Sequence, residues 1–194
     1  PELVAKEFPK ITRLALIDTD IIINPAAPNV FDSTPHGHVG VVPEFGPDPM
    51  RNTESRKRLA FLRRKYYDPS YPLDSILFAS AEQVYVEEGF EPLSASFCSG
   101  LIVLDVVFAS DFSAWFEEAK TADQRLAVAW EQTYLNHKVL TQLPHHWLEP
   151  EFQVIWNLEM ASSHPSLYQL GDLSHTEFAQ HCVADTLNRV HFLH

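Results

Sequence analysis

Cysteine is scarce: Cys98 and Cys182 are the only two in 194 residues. Two thiols make no disulfide framework, so a reducing compartment is the expected setting. No Asn-x-Ser/Thr sequon is present, which agrees. No apolar run approaches the roughly 20 residues that span a bilayer, which excludes a transmembrane helix. No secretory signal pattern opens the sequence, and a cytoplasmic location is expected. Basic residues are also few. Lys and Arg number 14 against 26 Asp and Glu, a net charge of −12, which argues against general nucleic-acid binding. The length, with 45% hydrophobic and 21% charged residues, suits one domain with a sizeable core. The first residue is Pro1 rather than Met, and the text stops abruptly at His194, so residues 1–194 are expected to be one domain from a longer chain.

What is present alternates strand and helix patterns. "ELVAKEFP" (2–9) reads as a short helix feeding a strand at 14–18. A Pro- and Asn-rich loop at 24–38 precedes a second strand, "HVGVVPEF" (38–45). Residues 51–67 read as a helix. "SGLIVLDVVF" (99–108) is an unbroken apolar run, hence a buried strand. "DFSAWFEEAK" (111–120) reads as a helix capped by Ser110 or Asp111, and 122–143 as one long helix or two short ones. "NRVHFLH" (188–194) resembles a final strand. The alternation argues for an α/β domain.

The first chemistry-bearing text is "LALIDTDIII" (14–23), an apolar run into Asp18-Thr19-Asp20. Two like charges so close repel, and each carries a desolvation cost if buried unpaired. A hard divalent cation removes both problems. In an extended segment residues i and i+2 point the same way, so Asp18 and Asp20 can share one ion. They are expected at the carboxyl end of a central strand, where ligands of α/β sheets gather. The plain alternative is a strand end with two solvated carboxylates.

"LALIDTDIIINPAAPNVFD" resembles the metal-binding segment of GT-A-fold glycosyltransferases, in which a strand, Asp-x-Asp and an apolar stretch precede a phrase like Ala27–Phe31. "FCSGLIVLD" (97–105) resembles their second signature, with Cys98 standing where the family often has Asn. "EQTYLNHKVLTQLP" (131–144) resembles the third, an acid–Gln pair followed by Leu-Asn and Leu-Pro, and "HHWLEPEFQVIWN" is similar to the aromatic and Asn ending. Order and spacing suit the glycosyltransferase family 8 type. The resemblance implies an α/β fold with a GT-A-like (Rossmann-like) central sheet and flanking helices, preceded in the family by a nucleotide-binding portion longer than residues 1–13.

It also implies a chemistry. The donor is a nucleotide sugar, with a UDP-sugar first in line, and the acceptor is a glycan, lipid or protein. Mn²⁺ or Mg²⁺ held by Asp18, Asp20 and a terminal histidine offsets leaving-group charge. His194 is preferred for that third ligand, with His191 in reserve, because the family's Gly at the third following position is absent after His191. Glu131 and Gln132 occupy the acid–Gln positions near the anomeric carbon and are the candidate catalytic residues of a retaining transfer. Asp18, Ser99 and Gly100 are the candidate donor-binding residues, Gly100 because its bare backbone admits close approach. Asp123–Gln124 is a rival placement of the acid–Gln pair but lacks the following Leu-Asn.

Two other readings stay open. A non-catalytic domain can keep such a fold as a binding or scaffold surface. Haloacid-dehalogenase-like phosphatases also carry strand-Asp-x-Asp near the start, and there Asp18 would be the nucleophile. They normally continue with a small pair where this chain has Ile21-Ile22. Residues 51–65 hold seven of the 14 basic residues: Arg51, Arg56, Lys57, Arg58, Arg63, Arg64 and Lys65. That patch can neutralise donor phosphates, bind an anionic acceptor, touch an anionic membrane surface peripherally, or be a solvated helix face.

Overall fold

A computed structural model describes residues 1–44, 53–71, 79–121, 130–169 and 177–194, without the side chains of 53–54, 119–121 and 130–131. In chain order the elements are α1 (Glu2–Glu7), β1 (Arg13–Ile17), β2 (Ile22–Ile23), β3 (Val39–Pro43), α2 (Thr53–Tyr66), α3 (Ala81–Glu87), β4 (Phe97–Asp105), α4 (Ala109–Thr121), α5 (Trp130–Gln142), β5 (His145–Trp147), α6 (Trp156–Ser163), α7 (Glu177–Leu187) and β6 (Phe192–Leu193). Phe45, Arg51 and Asp123–Gln124 lie outside the described residues.

The described strands form a mixed four-stranded sheet in the order β1-β4-β3-β5 and a two-stranded ribbon of β2 and β6. β1–β4 and β4–β3 are antiparallel, whereas β3–β5 is parallel. The molecule is thus mixed α/β with helices flanking a mixed sheet. The strand ahead of the Asp pair is not central as expected: β1 is an edge strand of the described sheet, and β4 is its only partner there. β4 takes the centre because its apolar run Leu101–Leu104 is buried on both faces, while Ile17 at the end of β1 is 38% exposed.

The apolar run after Gly100 sorts by alternation. Ile102 and Leu104 pack with Val39, Val41, Phe112, Trp115, Tyr134 and Val139 under α4 and α5. Leu101 and Val103 face Val30, Leu148, Phe152 and Phe192 on the other side. Each fully buried Val or Leu contributes on the order of 1.5–3 kcal/mol. The alternation breaks in one place. Val41 pairs with Ile102 but Val42 pairs with Cys98, so Ser99, Gly100 and Leu101 bulge out of register with β3. Phe97 therefore lands on the same face as Ile102.

The strand expected over 99–108 starts earlier and ends at Asp105. Val106–Phe108 is a turn of 3₁₀ helix leading into α4, which therefore begins at Ala109, ahead of the expected Ser110 or Asp111 cap. The Asp105 carboxylate forms an ion pair with Arg13, Oδ1 to Nε at 2.9 Å, and its Oδ2 accepts from the Gly37 amide at 2.6 Å, which ties that end of the sheet. A helical layer of α2, α6, α7 and the 3₁₀ turn Pro165–Gln169 packs through Leu62, Met160, Ala161, Leu167, Tyr168 and Cys182. Among the described residues no helix is long and apolar enough to cross a membrane.

Candidate metal centre

β1 hands the chain to the site through one backbone bond. The Asp18 amide donates to the Gly100 carbonyl at 3.0 Å, at the bulge of β4. The chain then turns, with the Ile21 amide reaching the Asp18 carbonyl at 3.4 Å. Asp18 and Asp20 thus sit on a tight turn, not on the extended segment their spacing suggested. β2 follows and pairs with β6, Ile22 opposite Leu193. That pairing brings the far end of the sequence beside the Asp pair. Asn24 locks it: its Nδ2 donates to the carbonyls of Leu187 and Val190, and its amide donates to the His191 carbonyl at 2.8 Å.

His194 is held on both backbone sides. Its amide donates to Val154 at 2.8 Å, and its carbonyl accepts from Trp156 at 2.6 Å. Its Nε2 lies 3.3 Å from Asp20 Oδ1 and 3.9 Å from Asp18 Oδ2. One ligand atom from each residue lies within 4.8 Å of the others. The side chains of Asp18 and Asp20 are 54% and 75% exposed, against 24% for His194. The donor set fits a divalent cation. Carboxylate oxygens suit hard divalent cations and an imidazole suits borderline ones, so the three residues could hold one divalent ion.

His191 is placed differently. Its ring packs edge-on against Phe152 at 4.8 Å, and its Nε2 is 4.0 Å from Glu149 Oε2. Of the two terminal histidines, His194 is the one the fold brings to the Asp pair.

Gly100 adjoins the cluster through space that protein atoms fill. A Cβ there would lie 2.2 Å from Gln153 Nε2 and 3.1 Å from the His194 ring. Ser99 beside it is half-buried. Gln153 is fully buried, and its Nε2 lies 3.3 Å from His194 Nδ1 and 3.0 Å from Cys98 Sγ. No sequence reasoning singled out Gln153. Its place in "HHWLEPEFQVIWN" marks a polar residue in an apolar phrase, the one available signal.

The Glu131 side chain lies outside the described residues. Gln132 belongs to a second polar cluster, where its Nε2 donates to Glu44 Oε2. Glu44 also accepts from Arg56 at 2.7 Å and from the Ser96 hydroxyl at 3.4 Å. Glu44 and Arg56 line a cleft of about 220 Å³ with Arg63, Tyr71, Asn157 and Leu158. Asn136 explains why Leu-Asn follows the Glu-Gln pair. Fully buried, it accepts from the Phe97 amide and donates to the carbonyls of Phe97 and Gln132, each at 2.8 Å. It clamps α5 to β4 and so fixes where Gln132 can reach. The basic helix divides: Arg56 turns inward, while Arg58, Arg64 and Lys65 are exposed.

No protein-family model matches the chain, and no curated protein sequence matches it. Among solved structures it is similar to the apo form of mouse xyloside xylosyltransferase 1, at 15% identity and a TM-score of 0.38. That likeness covers 100% of this chain and 61% of the other, so the chain spans less than two thirds of that protein's length.

Proposed function

We propose that this chain carries the metal-binding core of a glycosyltransferase that uses a nucleotide-sugar donor, with a UDP-sugar first to be tried. The observation that supports the reading is the convergence of Asp18, Asp20 and His194 from opposite ends of the sequence. Their ligand atoms share one small space, and a cation between them removes the mutual repulsion of the two carboxylates.

In this reading Asp18, Asp20 and His194 hold Mn²⁺ or Mg²⁺, which supplies a Lewis acid for the donor diphosphate. The chain's own residues do the positioning. The Gly100 carbonyl fixes the Asp18 backbone, and the β2–β6 ribbon fixes His194 against it. Gln132, oriented by Glu44 and Asn136, is the candidate to hydrogen-bond the sugar, with Glu131 beside it in sequence. The space over Gly100 is taken by Gln153 and the His194 ring, so Gly100 serves the site by admitting those two side chains rather than by touching the sugar. The finer assignments, a GT-A arrangement, family 8 character and retention of configuration, rest on the sequence resemblance.

The test is release of nucleoside diphosphate from a panel of nucleotide sugars, with Mn²⁺, with Mg²⁺ and with chelator. Metal-dependent release that Asp20→Asn abolishes supports the reading. Donor binding without release favours the non-catalytic domain, and phosphate release from a generic phosphomonoester favours the phosphatase.

A further inference from the structure

The residue that the metal cluster leaves unexplained is Gln153. It follows the one-turn 3₁₀ helix Pro150–Phe152 and is fully buried beneath the cluster. Its Nε2 faces His194 Nδ1 and Cys98 Sγ, while its Oε1 is buried with no hydrogen-bond partner among the described residues. Buried polar atoms are nearly always paired. An amide that turns its donor to a ring nitrogen and a thiol while its acceptor goes unpaired calls for a reason, since both of those neighbours can donate.

The two ring nitrogens of a neutral imidazole share one proton. If the Gln153 amide donates to Nδ1 of a neutral ring, that proton sits on Nε2 and points towards Asp20 Oδ1, 3.3 Å away. An Nε2 that carries a proton cannot ligate a cation. A half-turn of the amide exchanges its oxygen and nitrogen at almost unchanged shape. The oxygen then accepts from Nδ1–H, and the Cys98 thiol can donate to it as well. The proton has moved from Nε2 to Nδ1, with none gained or lost. The Nε2 lone pair then faces the same space as the carboxylates of Asp18 and Asp20. Metal-bound histidines commonly donate their second N–H to such an acceptor, which fixes tautomer and ring orientation.

We propose that Gln153 is a positioning residue that sets the His194 tautomer, presenting its amide nitrogen to Nδ1 in the metal-free protein and its amide oxygen when a divalent cation is bound. Gly100 is part of the device. Its missing side chain leaves the room in which the amide turns, since a Cβ would lie 2.2 Å from Gln153 Nε2. This role rests on the metal reading above.

The experiment measures Mn²⁺ binding from the paramagnetic signal of free Mn²⁺, in wild type, Asp20→Asn, Gln153→Met and Gln153→Glu. Long-range proton–nitrogen NMR of labelled histidine reads the His194 tautomer with and without Mg²⁺. Wild type should carry the Nε2 proton without metal and the Nδ1 proton with Mg²⁺. Gln153→Met keeps the shape and loses the acceptor, so Mn²⁺ affinity should fall by about 10- to 100-fold. Gln153→Glu, an acceptor at both oxygens, should restore binding. If Gln153→Met fails to fold, the wild-type tautomer and Gln153→Glu carry the test. Wild type that binds Mn²⁺, lost in Asp20→Asn but unchanged in Gln153→Met, overturns the Gln153 role alone. So does a tautomer that Mg²⁺ leaves as it was. Wild type that binds no Mn²⁺ overturns the metal reading and this role with it.

Discussion

Gly100 and Gln153 occupy each other's space: the position of an ordinary Cβ on Gly100 lies 2.2 Å from Gln153 Nε2. A buried amide, the bulge of β4 and the turn that carries the Asp pair therefore meet at one backbone position. Gly100→Ala should push Gln153 off His194. Overpacking of this kind costs about 1–3 kcal/mol. A urea melt reads that loss, and Mn²⁺ affinity should fall with it. A stable variant with unchanged Mn²⁺ binding would show that the amide can give way freely.

The clamp between α5 and β4 rests on one side chain. Asn136→Ala strands the buried amide and carbonyl of Phe97 at once. Leaving such groups unsatisfied costs roughly 1–3 kcal/mol each. The melting temperature should drop by several degrees, and α5 should lose protection in hydrogen exchange ahead of β4. A loss no larger than that of an exposed control such as Thr141→Ala would contradict this.

The two terminal histidines should separate cleanly. His191 packs on Phe152, so His191→Gln should cost stability while leaving Mn²⁺ affinity near the wild-type value. His194→Gln removes a ligand and should weaken Mn²⁺ by about tenfold or more. The reverse pattern in a calorimetric titration would assign the ligand to His191.

Glu88 provides a stability test away from the site. Burial raises its carboxyl above the ordinary value, opposed by a hydrogen bond from Thr133, and its Oε2 is buried without a hydrogen-bond partner. The folded state therefore holds this proton more tightly than the unfolded chain. The associated stability is present below the unfolded value, about 4.3, and is lost as pH rises through the folded one. Glu88→Gln should melt above wild type near neutral pH, and the gap should close as pH falls towards about 4. A gap that is constant with pH, or widest in acid, would contradict the sign.

Much of the sheet was legible because burial leaves a one-dimensional trace. The apolar text of β4 and the Val pattern of β3 mark strands whatever surrounds them. What the text does not carry is order. β1 reads like any inner strand, yet its place at the sheet edge depends on which residues pair with it. Asp18 and Asp20 were legible as residue types, but not the turn between them, which is closed by a backbone bond. His194 came only through resemblance, because β2 and β6 lie far apart in the chain. Gln153 was hidden because its meaning lies in contacts far along the chain, with Cys98 55 residues before it and His194 41 residues after it.

The central claim is that Asp18 and Asp20 act with His194 as one cation site that also takes a nucleotide diphosphate. Asp20→Asn tests it most directly, since it removes one formal charge and nearly keeps the shape. The measurement is calorimetric titration of UDP into the full-length protein that carries these residues, as wild type and Asp20→Asn, each saturated with Mn²⁺ and each with chelator, beside thermal melts that confirm folding. The account predicts tight UDP binding only in wild type with Mn²⁺, and further weakening at low pH, where protons compete for the ligands. UDP affinity that is the same in all four titrations would contradict it.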